Sequence, residues 1–314
     1  MDFPFNQLRL DDESAVVALQ VSRHADFVAL ARASGNVEVW DINGCLCCQY
    51  QCNKMPIQEI CISDDGRLIA TLGAATIDGE MRTELFVYDS ATETARSIPH
   101  SNKGGSFRSP MFVPHGHQLL VCDDKPILVN GVSATHIEHD IPENVTWDTI
   151  AFSRCGKIMA LSNADGLFQV FVGLKPGGKL AYFGKADHVQ RIAFSNENDV
   201  FAIFQANSFF DVYEGVVYSS SEEPIVCEDL LLLSFVRSLE SWLLIDRTSG
   251  LRLFDSDATC FGTFRMPDLE TISMISSDID GNVLAVARTD GTVDLWHSCS
   301  LLPYLPVGAS SLLG

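Results

Sequence analysis

The sequence predicts an all-β protein: a seven-bladed β-propeller with four antiparallel strands per blade, closed by the N-terminal strand. Three observations carry that prediction. A strand-ending anchor recurs at Trp40, Tyr88, Val129, Phe171, Tyr213, Phe254 and Trp296, at intervals of 48, 41, 42, 42, 41 and 42 residues. Each interval holds several short apolar runs broken by Gly, Asn and Asp, the pattern of strands and tight turns. No segment sustains a helical period. A repeat of about 42 residues built this way is the signature of a propeller blade.

The units can be read in order. Residues 5–10 form one strand ahead of the first full unit, which starts near Ala15. The long first interval contains an insertion at about residues 75–81, and removing it restores the period. The fourth unit shows the strand order most clearly: 147–153, 157–162, a turn at Ala164-Asp165-Gly166, then 167–171 and a last strand near 179–184. The fifth repeats it with 189–195, 200–204 and 209–213. The last unit supplies three clear strands, at 271–276, 283–288 and 292–296. It is completed by the N-terminal strand, which removes an exposed sheet edge. The competing segment, 301–307, carries two prolines that cannot donate to a ladder. The expected division is one propeller over residues 1–300 and a tail over 301–314, either a cap or the start of a linker.

Composition narrows the function classes. The chain has 314 residues, 46% of them hydrophobic and 20% charged, which suits a well-cored globule. No apolar run approaches the ~18 residues that span a bilayer, and the start shows no secretory pattern. A cytoplasmic or nuclear location is expected. The net charge of −20 repels phosphate backbones and anionic lipids at long range, so neither nucleic acid nor membrane is expected as a partner. Most of the ten cysteines fall in predicted strands, where a thiol packs as a small apolar group.

Two stretches, Gly35-Asn-Val-Glu-Val-Trp40-Asp41 and Thr289-Asp290-Gly291-Thr-Val-Asp-Leu-Trp296, carry a resemblance to the WD-repeat (tryptophan–aspartate repeat) family that extends over essentially the whole chain. The resemblance implies an acidic residue six positions before each anchor, supporting a tight turn. Those positions hold Ser34, Asp123, Asp165, Asn207, Thr248 and Asp290, so Asp123, Asp165 and Asp290 are assigned as structural turn residues. Asp64-Asp65-Gly66 and Asp280-Gly281 resemble the family's first hairpin turn. The family's Gly-His pair is missing throughout and two units alone end in Trp, which makes this a divergent member.

Candidate chemistry is sparse. Cys45 and Cys48 form a C-x-x-C pair, open to three readings: packing or partial exposure in an outer strand, a redox couple, or half of a metal site lacking its second pair. His115 and His117 fall in a predicted turn, His136 and His139 in an outer strand, and no metal site or cofactor is assigned to them. Trp147 and Trp242 read as core residues, and residues 219–223 as an acidic solvent loop. Asn144-Val-Thr146 matches a glycosylation pattern that a cytosolic chain would not use.

Propellers bind partners through the loops above the channel. Eight positions before the anchors stand Arg32, Asn163, Gln205, Asp246 and Arg288, with Arg247 beside Asp246. Arg32, Arg247 and Arg288 then fall in one sector of an acidic ring and form a candidate partner-binding set for a carboxylate or phosphate. The competing reading has each arginine paired with a nearby Asp, such as Asp246 or Asp290, to stabilise loops.

These features favour a non-enzymatic scaffold that binds other proteins or peptide segments within a larger assembly, monomeric on its own. The alternatives are a propeller enzyme of the lactonase type, which would need acids and histidines around the channel, and a phosphoinositide-binding trafficking propeller. The latter resembles this chain in blade number but carries an Arg-Arg pair that this chain lacks.

Overall fold

A computed structural model describes residues 4–8, 14–51, 54–100, 106–123, 126–137, 145–173, 179–186, 189–195, 200–205, 210–214, 217–221, 227, 229–264, 266, 268–298 and 300. Seven antiparallel sheets of four strands each make up the described chain, with two short 3-10 turns and no α-helix.

The chain opens with β1 (Asn6–Leu8) and then builds blade one from β2 (Val16–Val21), β3 (Phe27–Arg32), β4 (Asn36–Asp41) and β5 (Leu46–Gln51). Blade two holds β6 (Ile57–Ile62), β7 (Leu68–Ile77), β8 (Glu80–Asp89) and β9 (Thr94–Ile98). Blade three holds β10 (Arg108–Phe112), β11 (Gln118–Cys122), β12 (Ile127–Asn130) and β13 (Thr135–Ile137). Blade four comprises β14 (Thr149–Phe152), β15 (Ile158–Ser162), β16 (Leu167–Val172) and β17 (Lys179–Lys185). Blade five comprises β18 (Val189–Phe194), β19 (Val200–Gln205), β20 (Phe210–Glu214) and β21 (Val217–Ser220). Blade six follows with β22 (Leu230–Val236), β23 (Ser241–Asp246), β24 (Gly250–Phe254) and β25 (Cys260–Phe264). Blade seven has β26 (Ile272–Ser277), β27 (Val283–Arg288) and β28 (Val293–His297), and its fourth strand is β1.

The ring closes through that last pairing. Asn6, Gln7 and Leu8 lie opposite Leu295, Asp294 and Val293, and Phe5 N donates to Leu295 O at 2.9 Å. The N-terminal strand therefore covers the edge that β28 would otherwise expose, as the sequence predicts. The tail at 301–314, Cys52, Cys299, Asn144, His139 and Asn207 lie outside the described residues.

The apolar residues sort into seven clusters, and each joins two adjacent blades. The alternation of each strand puts one set of side chains against the preceding blade and the other against the following one. The anchors share one task. Trp40 packs into the cluster between blades seven and one, Tyr88 between one and two, and Val129 between two and three. Phe171, Tyr213, Phe254 and Trp296 continue the series, each against the blade before its own. Trp147 and Trp242 are fully buried in two of these clusters.

Six of the seven innermost strand pairs carry a register shift near the start of the first strand, β14–β15 being the regular one. A bulge there adds local twist. Blade two departs most from the repeat. The insertion read from the sequence lengthens β7 and β8 into a two-stranded ribbon that pairs down to Ile77 and Glu80. Asp78 and Gly79 turn it with φ of 55° and 83°, the paired positive values of a two-residue hairpin loop of the Asp-Gly type. Residues 219–220, expected in an acidic loop, belong instead to β21, and Ser221 is buried.

Candidate functional site

Each blade presents its hairpin between second and third strands on one face, here called upper, and its other two hairpins on the lower face. The three arginines of the candidate set lie on the upper face, and all three are engaged within the protein. Arg32 is 2% exposed: its Nε donates to Glu38 Oε1 at 3.0 Å, and Nη1 donates to the carbonyls of Ser14 at 2.8 Å and Gly291 at 3.2 Å. Arg288 Nε donates to Asp294 Oδ2 at 2.5 Å and its Nη1 to Thr271 Oγ1 at 2.7 Å. Arg247 Nε donates to Asp229 Oδ2 at 2.6 Å, while its other nitrogens reach the carbonyls of Ile272 and Ser273 in blade seven.

Arg32 and Arg247 therefore staple neighbouring blades. Arg32 ties blade one to the upper turn of blade seven, and Arg247 ties blade six to the first strand of blade seven. Arg32, buried with its Nε and Nη1 bonded inside the protein, offers little guanidinium surface to a partner. Pairing with acids is the reading that fits, although the acids are Glu38, Asp294 and Asp229 rather than Asp246 or Asp290.

A rule of position underlies these pairs. In four blades the residue at the end of the second strand bonds the residue six positions later on the third: Arg32 with Glu38, Gln205 with Asp211, Asp246 with Arg252, and Arg288 with Asp294. Glu38 Oε2 also accepts from the Trp40 indole at 3.2 Å. The turn acids differ among themselves. Asp290 Oδ1 accepts from Thr292 N and Oγ1, and these bonds from Thr292 hold its carboxyl below the usual range. Asp123 is buried, with His100 Nδ1 at 3.7 Å. Asp165 is exposed, and in its turn Asn163 Oδ1 accepts from Leu167 N at 2.8 Å.

Among the described residues the ribbon of blade two is the longest hairpin on the upper face. Strand pairing with β6 ends at Gly73 on one side, where Ala74 N still donates to Pro56 O, and pairing with β9 begins at Leu85 on the other; among the described residues no strand pairs with either edge beyond these points. Ile77 and Met81 stand at its tip, Met81 with 61% of its surface exposed. Its base is fixed: Thr83 O meets His100 Nε2 at 3.0 Å, and Thr83 Oγ1 accepts from Phe107 N at 2.9 Å.

The channel is lined by the first strands of all seven blades and encloses a cavity of about 230 Å³. Met111, Ile150, Ile192 and Leu233 are among its lining residues, together with the polar Gln20, Arg23, Asp64 and Asp278. At the lower mouth the chemistry changes. Arg23 reaches across from blade one to the carbonyls of Ser153 and Arg154 in blade four, and burial pushes its guanidinium pKa down. Arg154 in turn lies 3.2 Å from Asp280 of blade seven.

Local bonding explains how the lower turns are held. Ser22, Ser63 and Ser153 each accept, through the side-chain hydroxyl, from the amide five residues on, and Asp278 does so with its carboxylate. The turn of blade three has Val113 in that position and leans on its neighbour instead. Asp64 Oδ2 accepts from His115 N at 2.7 Å, and His117 Nε2 lies 2.8 Å from Asp65 Oδ2. His24 of blade one stacks on His115 with ring centroids 5.9 Å apart. His24, Asp64 and His115 thereby meet, a grouping that sequence reading missed. The available signal was positional, since all three sit in the first hairpin of consecutive units.

No protein-family model matches the chain, and no curated protein matches it either. Function therefore rests on the geometry. The cysteine cluster is settled in part by that geometry: Cys45 and Cys47 are exposed, whereas Cys48 is half-buried against the core between blades one and two. Burial pushes the Cys48 thiol up to about 11 and also raises that of Cys47.

Proposed function

We propose that this propeller is a non-enzymatic interaction scaffold, a divergent WD-repeat-type disc that holds protein segments within a larger assembly. The observation that carries the reading is the blade-two ribbon, a hairpin bonded at its base whose outer part, among the described residues, has unpaired strand edges and exposes Ile77 and Met81. A bare strand edge offers a row of amides and carbonyls to an extended segment, and Ile77 and Met81 supply apolar contacts beside it. The eight described cysteines are all free thiols, which fits residence in the reducing cytoplasm or nucleus.

The test removes the ribbon without touching the blade. Ala74 and Thr83 already face each other, so replacing residues 75–82 by Asn-Gly leaves a two-residue hairpin between them. The shortened protein is expected to melt within a few degrees of the parent and to lose proteins that the intact propeller captures from its native cells. Identical captured sets from both proteins would refute the reading.

A further inference from the structure

The geometry points to a binding site for one first-row divalent transition-metal ion, of the Zn2+ class, formed by His24, Asp64 and His115 at the lower mouth of the channel. Each residue offers one donor atom, and the three donors lie within 4.8 Å of one another. Donors bound to one ion at 2.0–2.2 Å stand roughly 3 Å apart. The remaining closure needs side-chain rotation alone, because His24 and His115 are exposed and free to turn.

The frame beneath them is built. The three residues come from the lower hairpins of blades one, two and three, two of which are locked by Ser22 and Ser63. Asp64 is fixed before any ion arrives, since its Oδ2 already accepts from His115 N. A ligand held by an outer bond is the arrangement that raises metal affinity. Two imidazoles and one carboxylate make a donor set for Zn2+, Co2+ or Ni2+ rather than for Mg2+ or Ca2+, which favour oxygen alone. Among the described residues neither imidazole gives a ring nitrogen to a hydrogen bond; the nearest partner is Asp64 itself, 3.7 Å from His115 Nδ1. The neighbouring cation Arg23 has its guanidinium turned to the carbonyls of blade four. An ion here would tie three blades together and leave coordination positions open to solvent. The inference does not depend on the ribbon.

The experiment titrates the full chain, reduced and stripped with chelator, with Co2+. Visible d–d absorbance and calorimetry follow the binding. One Co2+ per chain is expected, displaceable by Zn2+. His24→Ala and His115→Ala should each weaken binding at least tenfold, and His136→Ala, on an outer strand, should leave it within twofold. Because His24 is exposed, that variant tests the site even where His115→Ala disturbs its turn. Absence of saturable binding, an unchanged titration for His24→Ala, or a thiolate charge-transfer band in the parent complex would overturn the assignment.

Discussion

Asp246 and Arg252 form, across the hairpin of blade six, the same ion pair that Arg32 and Glu38 form in blade one, with the charges exchanged. Where a blade carries an ion pair at these two positions, either strand can hold the cation. Both members of the first pair are buried, so removing one strands the other. Arg32→Met is expected to lower stability by about 3–5 kcal/mol, and the double variant Arg32→Met with Glu38→Leu to recover part of that loss. Urea denaturation of the single and double variants checks this; an additive double variant would show that the pair is not coupled.

Asp278 gives a pH signature of opposite sign to that of a paired carboxylate. Burial raises its pKa to about 6 from an ordinary 3.8, with nearby Asp280 adding to the shift. Between those values the folded state binds the extra proton, so this group's contribution to stability falls as pH rises. Above pH 6 its buried charge is a cost. Asn keeps an oxygen that can accept from Val283 N, now at 2.9 Å from the carboxylate. Asp278→Asn should therefore be more stable than the parent at pH 8, by roughly 1–3 kcal/mol, and equal to it near pH 3. Denaturation curves at the two pH values decide; a gain of the same size at both would dismiss the titration.

Two glycines with positive φ separate backbone conformation from close packing. Gly79, at φ 83°, turns the ribbon in open space, with nothing within 4 Å of where a Cβ would stand. Gly281, at φ 62°, would place a Cβ 2.4 Å from the carbonyl oxygen of Phe235 in blade six. Gly79→Ala should cost about 1 kcal/mol, the penalty of a left-handed backbone alone. Gly281→Ala should cost at least ~2 kcal/mol more, because backbone rather than a movable side chain stands in the way. Comparable losses in thermal melts of the two variants would mean that the blade interface yields.

The physics of the anchors explains how much of the fold was legible. Trp40, Tyr88, Val129, Phe171, Tyr213, Phe254 and Trp296 each fill the gap toward the preceding blade, so a large or branched apolar residue is demanded once per blade at a fixed place in the third strand. That demand survives where the polar motif does not. The insertion was visible for the same reason, as an excess over the period. The individual roles of the arginines were not legible, because Arg32 and Arg288 find Glu38 and Asp294 six residues on whereas Arg247 finds Asp229 eighteen residues back. Nor could spacing bring His24 to His115, since adjacency across the channel mouth depends on how three blades are rotated against one another.

Closure by β1 makes the strongest demand on a short segment. Leu8 is buried in the cluster shared by blades seven and one, beside Val16, Leu30, Val293 and Leu295. Gln7 Nε2 adds a bond to Asp294 Oδ1 at 2.7 Å, the acid that also receives Arg288. Leu8→Ala removes three buried carbons from a site bounded by two blades and should cost about 2–5 kcal/mol. Deleting residues 1–8 goes further, because it also bares the ladder groups of β28, a ready template for another chain. That truncated protein is expected to self-associate, while Leu8→Ala stays monomeric with a lower melting temperature. Light scattering coupled to size-exclusion chromatography separates the two outcomes, and a monomeric truncated protein of parental stability would mean that the ring holds without its N-terminal strand.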